Sequence, residues 1–437
     1  MNYPRVLVVA LGRINAADAA NNGLLLRNIF CEWPKDRLAQ IYSSADNGDE
    51  GFFGQYYQLG SCDRRFGCLF YRLKSSAQAG VVSPVVAMTV KPATSQKARD
   101  LCKSMGKRLL LDTGLYELIF RPVLSPHLID WVKKFKPDII FAQGYCLTFT
   151  WLPVMLAKHF NLPIAYYPTD DWPNETYRSK ASGVPFISRL VGQTVDSSSH
   201  VLVAASSVCI AFNRYMQEEY LERYGKNFSV LMHGDEFARF DALQPDRRTV
   251  ATETWIVCTG GFYENRLSLL SDLDEACEIL ISRGVKVKAS VFPVNDLPKA
   301  VTSSFRHIIV EPCPTHNGLA AILKGADILF LPERFDETSE GIRLSVSSKA
   351  HLFMLSGRPT IIYSAPVTGI ARYAKEENWA MVVEVRSPEK LAEAIVELIR
   401  NPCRSEELIN NAKALAEKNH NLRNIREEFH RIISFYY

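Results

Sequence analysis

Short apolar runs rich in β-branched residues alternate with longer stretches of helical period along most of this chain, and that alternation restricts the fold more than any other feature. Strands that are apolar on both faces must be covered on both faces, and the intervening helices supply the cover, so the pattern predicts parallel sheets of α/β type. In the first half, strands are expected at residues 5–11, 38–43, 68–73, 138–142, 163–167, 200–204 and 228–232, with helices near 22–30, 125–135, 147–159, 186–197 and 206–222. The glycine-rich segment 44–67 reads as a surface loop. Residues 240–253 carry charge and a proline without apolar period, and they read as a linker. After it the alternation restarts with strands at 254–259, 285–292, 307–311, 327–331, 359–363 and 381–385. Helices are expected near 267–283, 348–356, 387–400, 404–417 and 421–435. The expected organisation is a Rossmann-like domain over residues 1–240, a linker at 241–253 and a second Rossmann-like domain over 254–420. The helix at 421–437 is expected to pack back on the first domain.

Composition narrows the class. The 437 residues are 47% apolar and 22% charged, enough for two cores, and a net charge of +4 calls for no nucleic-acid partner. The charge is uneven: Lys91, Lys97, Arg99, Lys103, Lys107, Arg108, Arg121, Lys133, Lys134 and Lys136 outnumber Asp100, Asp112, Glu117 and Asp130. This stretch reads as a solvated helical face, with an anionic membrane surface as the alternative. The ten cysteines are scattered with no CxxC pair, which argues against a disulfide framework or a zinc site. No apolar run is long enough to span a bilayer, and the expected location is cytoplasmic, peripheral at the inner membrane face if the membrane reading holds.

In open α/β sheets ligands bind outside the carboxyl ends of the strands, so the loops after strands are where chemistry is sought. Gly260 and Gly261 follow the strand at 254–259 and lead to a helix whose free N–H groups suit a phosphate. Asn265 and Arg266 stand at the mouth of that turn. Ser347, Ser348 and Lys349 open a second helix, where the serines are expected to cap and the lysine, opposed to the helix dipole, invites an anion. On the other side of the chain, Asp170 and Asp171 lie directly after the strand ending at Tyr167. Mutual repulsion of two such carboxylates raises one pKa and suits proton relay near neutrality. Asn21, Asn22 and Gly23, between the first strand and the first helix, offer backbone N–H groups to a sugar or acceptor or simply cap the helix.

The stretch Ser348-Lys349-Ala350-His351-Leu352-Phe353-Met354-Leu355-Ser356-Gly357-Arg358-Pro359 resembles the Pro-Ser-Lys to Gly-Arg/Lys-Pro segment of GT-B glycosyltransferases, family 4 in particular. The run from Leu319 through Ala326-Asp327 to Pro332, the helix at Ser387–Ile395, Lys136–Ala142, Ser206 and His233-Gly234-Asp235 are similar to further family landmarks. The resemblance implies two Rossmann-like domains facing across a cleft, and a hexosyltransferase. It would move a sugar from a nucleotide-diphosphate donor to a glycan, glycolipid or polysaccharide-precursor hydroxyl, with no cofactor and no metal, and with retention of configuration. By the same resemblance Gly260, Gly261, Asn265, Arg266, Ser347, Ser348 and Lys349 hold the donor, Glu340-Gly341 stands where the family's first glutamate does, and Asp170 or Asp171 works on the acceptor with Asn21, Asn22 and Gly23 beside it. Leu352 occupies the place of the carboxylate that usually holds the ribose. A sugar-nucleotide epimerase and a non-catalytic nucleotide-sugar-binding homologue are the alternatives. Asp272-Leu273-Asp274 has the spacing of a metal-dependent transferase motif but falls inside a helix, and it is expected on a solvated face. Residues 46–51 lack calcium-loop spacing, and no HExxH or GxSxG occurs.

Overall fold

A computed structural model describes residues 3–15, 21–44, 51–66, 115–174, 185–250 and 252–435 of the chain. The chain forms two compact units, one comprising residues up to Val230 together with those from Glu427, the other Leu231–Arg426. The first unit holds a parallel sheet of strands β1 (Val6–Val9), β2 (Leu38–Tyr42), β3 (Gln55–Gln58), β4 (Ile139–Ala142), β5 (Ile164–Tyr166), β6 (Val208–Ala211) and β7 (Ser229–Val230) in the order β3-β2-β1-β4-β5-β6-β7. The second holds β8 (Thr254–Gly260), β9 (Val287–Pro293), β10 (Ile308–Val310), β11 (Ile328–Pro332), β12 (Thr360–Tyr363) and β13 (Met381–Val383) in the order β10-β9-β8-β11-β12-β13. Both orders run outward from a first strand, then restart on its other side, which is the doubly wound pattern.

The apolar runs become central strands because both of their faces are covered: β1, β2, β4 and β11 are buried throughout. Helix Pro126–Phe135 shows how the cover is built. Ser125 accepts the Leu128 N–H at 3.1 Å, Pro126 occupies the first turn, Leu128, Val132 and Phe135 turn inward, and Lys136 ends the helix in the left-handed region. In the second unit, Leu391, Ala392, Ile395 and Leu398 of helix Pro388–Arg400 and Leu269, Leu273 and Leu280 of helix Glu264–Ser282 close over Ile256, Phe330 and Ile361. Among the described residues no helix is long and apolar enough to cross a membrane.

Several expectations are corrected. Residues 200–204, expected as a strand, belong to helix Pro185–Ala205, and the strand lies at Val208–Ala211, where a helix was expected. The run Val201-Leu202-Val203 is too short to show a period by itself. Leu202 continues the inward face of Val191 and Val195, and the hydroxyls of Ser198 and Ser199 bond back to the Val195 carbonyl at 2.9 Å. Segment 44–67 contains the edge strand β3, paired with β2 despite its polar sequence. The strand expected at 68–73 and the basic stretch up to residue 114 lie outside the described residues.

The unit boundary falls at Val230, and residues 241–253 group with the second unit. They are held there by polar contacts that no hydrophobic pattern reveals. Lys324 binds the carbonyls of Phe240 and Leu243 at 2.7 Å, and Arg247 grips Asp327 with two bonds of 2.8 Å. The carboxylates of Asp272 and Asp274 are buried structural anchors and do not face solvent. Asp272 pairs with Arg386 and Tyr363, while Asp274 accepts the backbone N–H groups of Arg306, His307 and Ile308. Helix Leu422–Ser434 begins in the second unit and ends in the first, where Phe429 packs edge-on against Phe30 and Phe141.

The two segments that carry the chain into and out of the second unit run side by side within it. Asp235 donates its N–H to the His420 carbonyl, and Leu422 donates to the Asp235 carbonyl. Here three buried imidazoles form a pile, with His351 centred 5.9 Å from His233 and 6.1 Å from His420. His420 Nδ1 donates to the His233 carbonyl, and its Nε2 meets the Tyr373 hydroxyl at 3.1 Å. Asp235 faces the pile from the linker side, and Arg239 and His316 bind its carboxylate. Burial lowers the pKa of His233 and of His420 from 6.5 to about 4, and pushes His351 well below its ordinary value. These rings are neutral when folded.

Unfolded histidines take up protons below pH 6.5, whereas the folded ones resist to about pH 4, so this stability is complete above 6.5 and is lost through that window as pH falls. Thermal unfolding measured from pH 7.5 to 5 should show a midpoint that drops below pH 6.5, and His351→Leu should make the drop shallower. Parallel pH profiles for the two proteins would show that the pile is not the source.

Candidate functional site

The strand order of the second unit reverses between β8 and β11, which opens a crevice at their carboxyl ends. Gly260 is the last residue of β8, and Glu333 follows the last residue of β11. Gly260 adopts φ +132°, a conformation that side-chain-bearing residues rarely take, and a Cβ there would stand 2.5 Å from Lys349 Nζ. The glycine thus does two things: it makes the turn, and it leaves room for an ammonium group beside the backbone.

Arg266 lies in the first turn of helix Glu264–Ser282, which starts three residues earlier than its apolar pattern suggests. Its guanidinium donates to Glu333 Oε2 at 2.5 Å and to the Gly261 carbonyl at 3.5 Å. Glu333 is buried, with 4% of its surface exposed. The Lys349 ammonium makes no hydrogen bond or ion pair among the described residues. Burial, then the adjacent Arg266 charge, lower its pKa, and Glu333 offsets this only in part. The Cys258 thiol beneath is pushed up to about 12 by burial, against the pull of both cations. Two cations share one carboxylate, so the crevice has an excess positive charge at a point where backbone approach is free. An anion entering it relieves a repulsion already present.

Asn295 braces the loop beyond Gly261. Its Oδ1 accepts the Phe262 N–H at 2.8 Å, and its Nδ2 donates to the carbonyls of Phe262 and Asp296 at 3.2 Å. On its far side is a cavity of about 630 Å³ at the ends of β9 and β10, and Tyr263 and Val294 stand exposed nearby. A cavity of this size accepts a group such as a nucleobase.

Ser347 and Ser348 are half-buried in the turn ahead of helix Ala350–Leu355. They do not cap it: Lys349 is the N-cap residue, without a side-chain bond, and the Ser347 backbone carbonyl accepts the Ala350 N–H. A tight turn takes the place of the expected first helical turn. Glu340 and Gly341 lie on the 3-10 helix Glu337–Ile342, with Glu340 exposed and sharing no bond with the Arg266–Glu333 pair. Leu352 is buried. The side chain of Asn265 falls outside the described ones, as do those of Asn21 and Asn22.

In the first unit the two aspartates after β5 part ways. Asp171 is buried and takes two bonds from Arg223, at 2.7 and 3.1 Å, plus one from the Tyr220 hydroxyl at 3.1 Å. Trp172 anchors the turn among Leu147, Val191 and Val195. Asp170 reaches solvent, yet the packing around its carboxyl and then the charge of Asp171 raise its pKa. Of the two, Asp170 is the solvent-facing carboxylate and Asp171 the one held in an ion pair. Asn21 and Gly23 lie in the first turn of helix Asn21–Phe30.

The structure thus brings Gly260, Gly261, Arg266 and Lys349 together. Glu333 and Asn295 complete that cluster, and sequence reasoning passed over both. The signal for Glu333 was its place directly after a strand that ends the family-like segment, where a buried carboxylate has a local task. Asn295 carries no comparable signal.

No protein-family model and no curated protein sequence matches the chain. Solved structures do. Anabaena HepE, in complex with UDP and glucose, superposes with a TM-score of 0.57 at 12% identity, covering 99% of this chain and 100% of that one. Sucrose-phosphate synthase from Thermosynechococcus elongatus gives 0.58 at 13% identity over 98% of each chain. The α,α-trehalose 6-phosphate synthase from Burkholderia multivorans gives 0.59 at 10% identity, over 99% of this chain and 97% of that one. The fold is that of the GT-B glycosyltransferases.

Because Asp171 is itself buried and takes two bonds from Arg223, whose guanidinium is partly exposed and also bound by Glu219, Asp171→Asn should destabilise the protein by about 2 kcal/mol. Asp170→Asn, which removes a like charge from its neighbour, should leave stability unchanged or slightly higher. Urea denaturation of both variants checks this, and equal losses would mean that the two carboxylates are not divided in role.

Proposed function

We propose that the protein transfers a sugar from a nucleotide-diphosphate sugar to an acceptor hydroxyl. The observation that carries the reading is the pair of cations, Lys349 and Arg266, set against Gly260 at the switch point of the second sheet. Cleavage of a glycosyl phosphate bond builds negative charge on the leaving diphosphate, and fixed cations in a partly desolvated crevice stabilise that charge where it develops. The two cations neutralise the diphosphate in the manner of a divalent ion, so the reaction is expected to run without one.

As the bond between the anomeric carbon and the phosphate oxygen breaks, the bonding pair leaves with the diphosphate and the acceptor oxygen bonds to that carbon. Asp170, with its raised pKa, orients the acceptor hydroxyl and takes its proton. Retention of configuration, the outcome that the family 4 resemblance implies, requires the acceptor oxygen to bond on the same face of the sugar from which the diphosphate leaves. The acceptor class is a glycan, a lipid-linked sugar or a polysaccharide precursor, the lipid-linked case being the one that would use the membrane surface.

Titration of the full chain with nucleoside diphosphates and their sugars should give binding that falls at least tenfold, about 1.4 kcal/mol, in Lys349→Ala. The thermal midpoint should hold or rise, because the variant loses a charge that repels Arg266. Gly260→Ala should weaken binding similarly by displacing the ammonium. Asp170→Asn should lower turnover with donor affinity intact, and EDTA should leave turnover unchanged. Absence of binding by any nucleoside diphosphate or sugar-nucleotide would sink the reading. Epimerisation of the donor without an acceptor would replace it with the isomerase alternative.

A further inference from the structure

The cavity adjoins the crevice: Pro293 and Val294, which line it, are the strand partner and the backbone donor of Gly260, and the Asn295 side chain stands between the two spaces, its Oδ1 3.7 Å from the Cβ position of Gly261. If the crevice holds a diphosphate, as proposed above, the rest of the nucleotide extends into this cavity, and its walls select the base. The side chains that line it are strongly biased in hydrogen-bonding sense. Asp296 is exposed and its carboxylate has no hydrogen bond or ion pair among the described residues. Glu311 gives one carboxylate oxygen to Arg248, at 2.6 Å, and retains the other. The Thr302 hydroxyl spends its hydrogen on the Lys299 carbonyl at 3.2 Å, which leaves it only acceptor capacity. The Asn295 amide has its N–H groups engaged by the Phe262 and Asp296 carbonyls. Burial raises the pKa of the Cys313 thiol and keeps it protonated, a weak donor at best. Among the described residues no lysine or arginine lines the cavity.

Acceptor groups require donors on the ligand. Uracil and thymine present two carbonyl oxygens around a single N–H, and carboxylates repel both oxygens. Adenine and cytosine present one amino group next to an acceptor nitrogen. Guanine alone has two adjacent donors, N1–H and the N2 amino group, spaced for the two oxygens of one carboxylate. We propose that the nucleotide site is selective for guanine, with Asp296 accepting N1–H and the N2 amino group while Glu311 disfavours bases with carbonyl-rich edges. The donor substrate is then a guanosine-diphosphate sugar. The base preference differs from that of the UDP-bound structural neighbour, at 12% identity, and arises from residues of this chain.

Calorimetric titration of the full chain with GDP, IDP, UDP and inorganic pyrophosphate tests the assignment. Expected are GDP at least tenfold tighter than UDP, IDP weaker than GDP because it lacks the N2 amino group, and an Asp296→Ala variant in which GDP and IDP bind alike and the preference over UDP collapses. Pyrophosphate affinity should be the same in that variant as in the wild type, which shows that the crevice is intact. UDP binding as tightly as GDP overturns the guanine assignment while leaving the nucleotide-sugar reading in place, and so does pyrophosphate binding with no discrimination among bases. A GDP preference unaltered by Asp296→Ala overturns the role of that residue. Failure of all four ligands to bind is the distinct result that overturns the underlying reading.

Discussion

The second unit keeps two like charges close together, and much else follows from that. Lys349 sits against the backbone of Gly260 with the guanidinium of Arg266 beside it, and one buried carboxylate, Glu333, serves both. Left to local energetics, a lysine at the start of a short helix and near another cation is misplaced. The arrangement persists because the sheet fixes both backbones: β8 and β11 are hydrogen-bonded neighbours, Glu333 is tied by its N–H to the Tyr363 carbonyl, and Gly260 accepts from Val294. A rigid scaffold of this kind can hold a repulsion in reserve for a ligand of opposite charge.

The same logic separates the two aspartates of the first unit. They are sequence neighbours with one chemistry, yet the side that each faces decides its role. Asp171 turns inward to a guanidinium and becomes part of the scaffold, and its fixed negative charge is one of the reasons that Asp170 holds its proton more tightly. A structural ion pair thereby tunes a surface carboxylate.

The parallel architecture was legible from the sequence, because strands such as Val6–Val9 and Ile328–Pro332 are apolar on both faces and their ends are marked by glycine, proline or charge. Most of the described strands and helices fall within a few residues of their expected positions. The helix-to-strand passage around residues 200–211 was misread because an apolar run of three residues looks the same in either state. The buried carboxylates were illegible for a different reason. Asp272 finds Arg386 114 residues away, Asp274 finds the N–H groups of Arg306 to Ile308 32 to 34 residues away, and Glu333 finds Arg266 67 residues away, and a local pattern carries no record of such pairing. The cation pair at the site was readable only in part: Lys349 and Arg266 were each suspect, but their common counter-ion emerged only in three dimensions.

The first unit is not finished by its own stretch of chain. Phe429, fully buried against Phe30 and Phe141, belongs to residues that the ribosome adds only after the whole of Leu231–Arg426. During synthesis the sheet of the first unit therefore has to wait, with an aromatic socket unfilled, while the second unit is made. In that interval Phe30, Trp33 and Phe141 lack the ring that covers them, and the length of the second unit sets how long this apolar surface stays open.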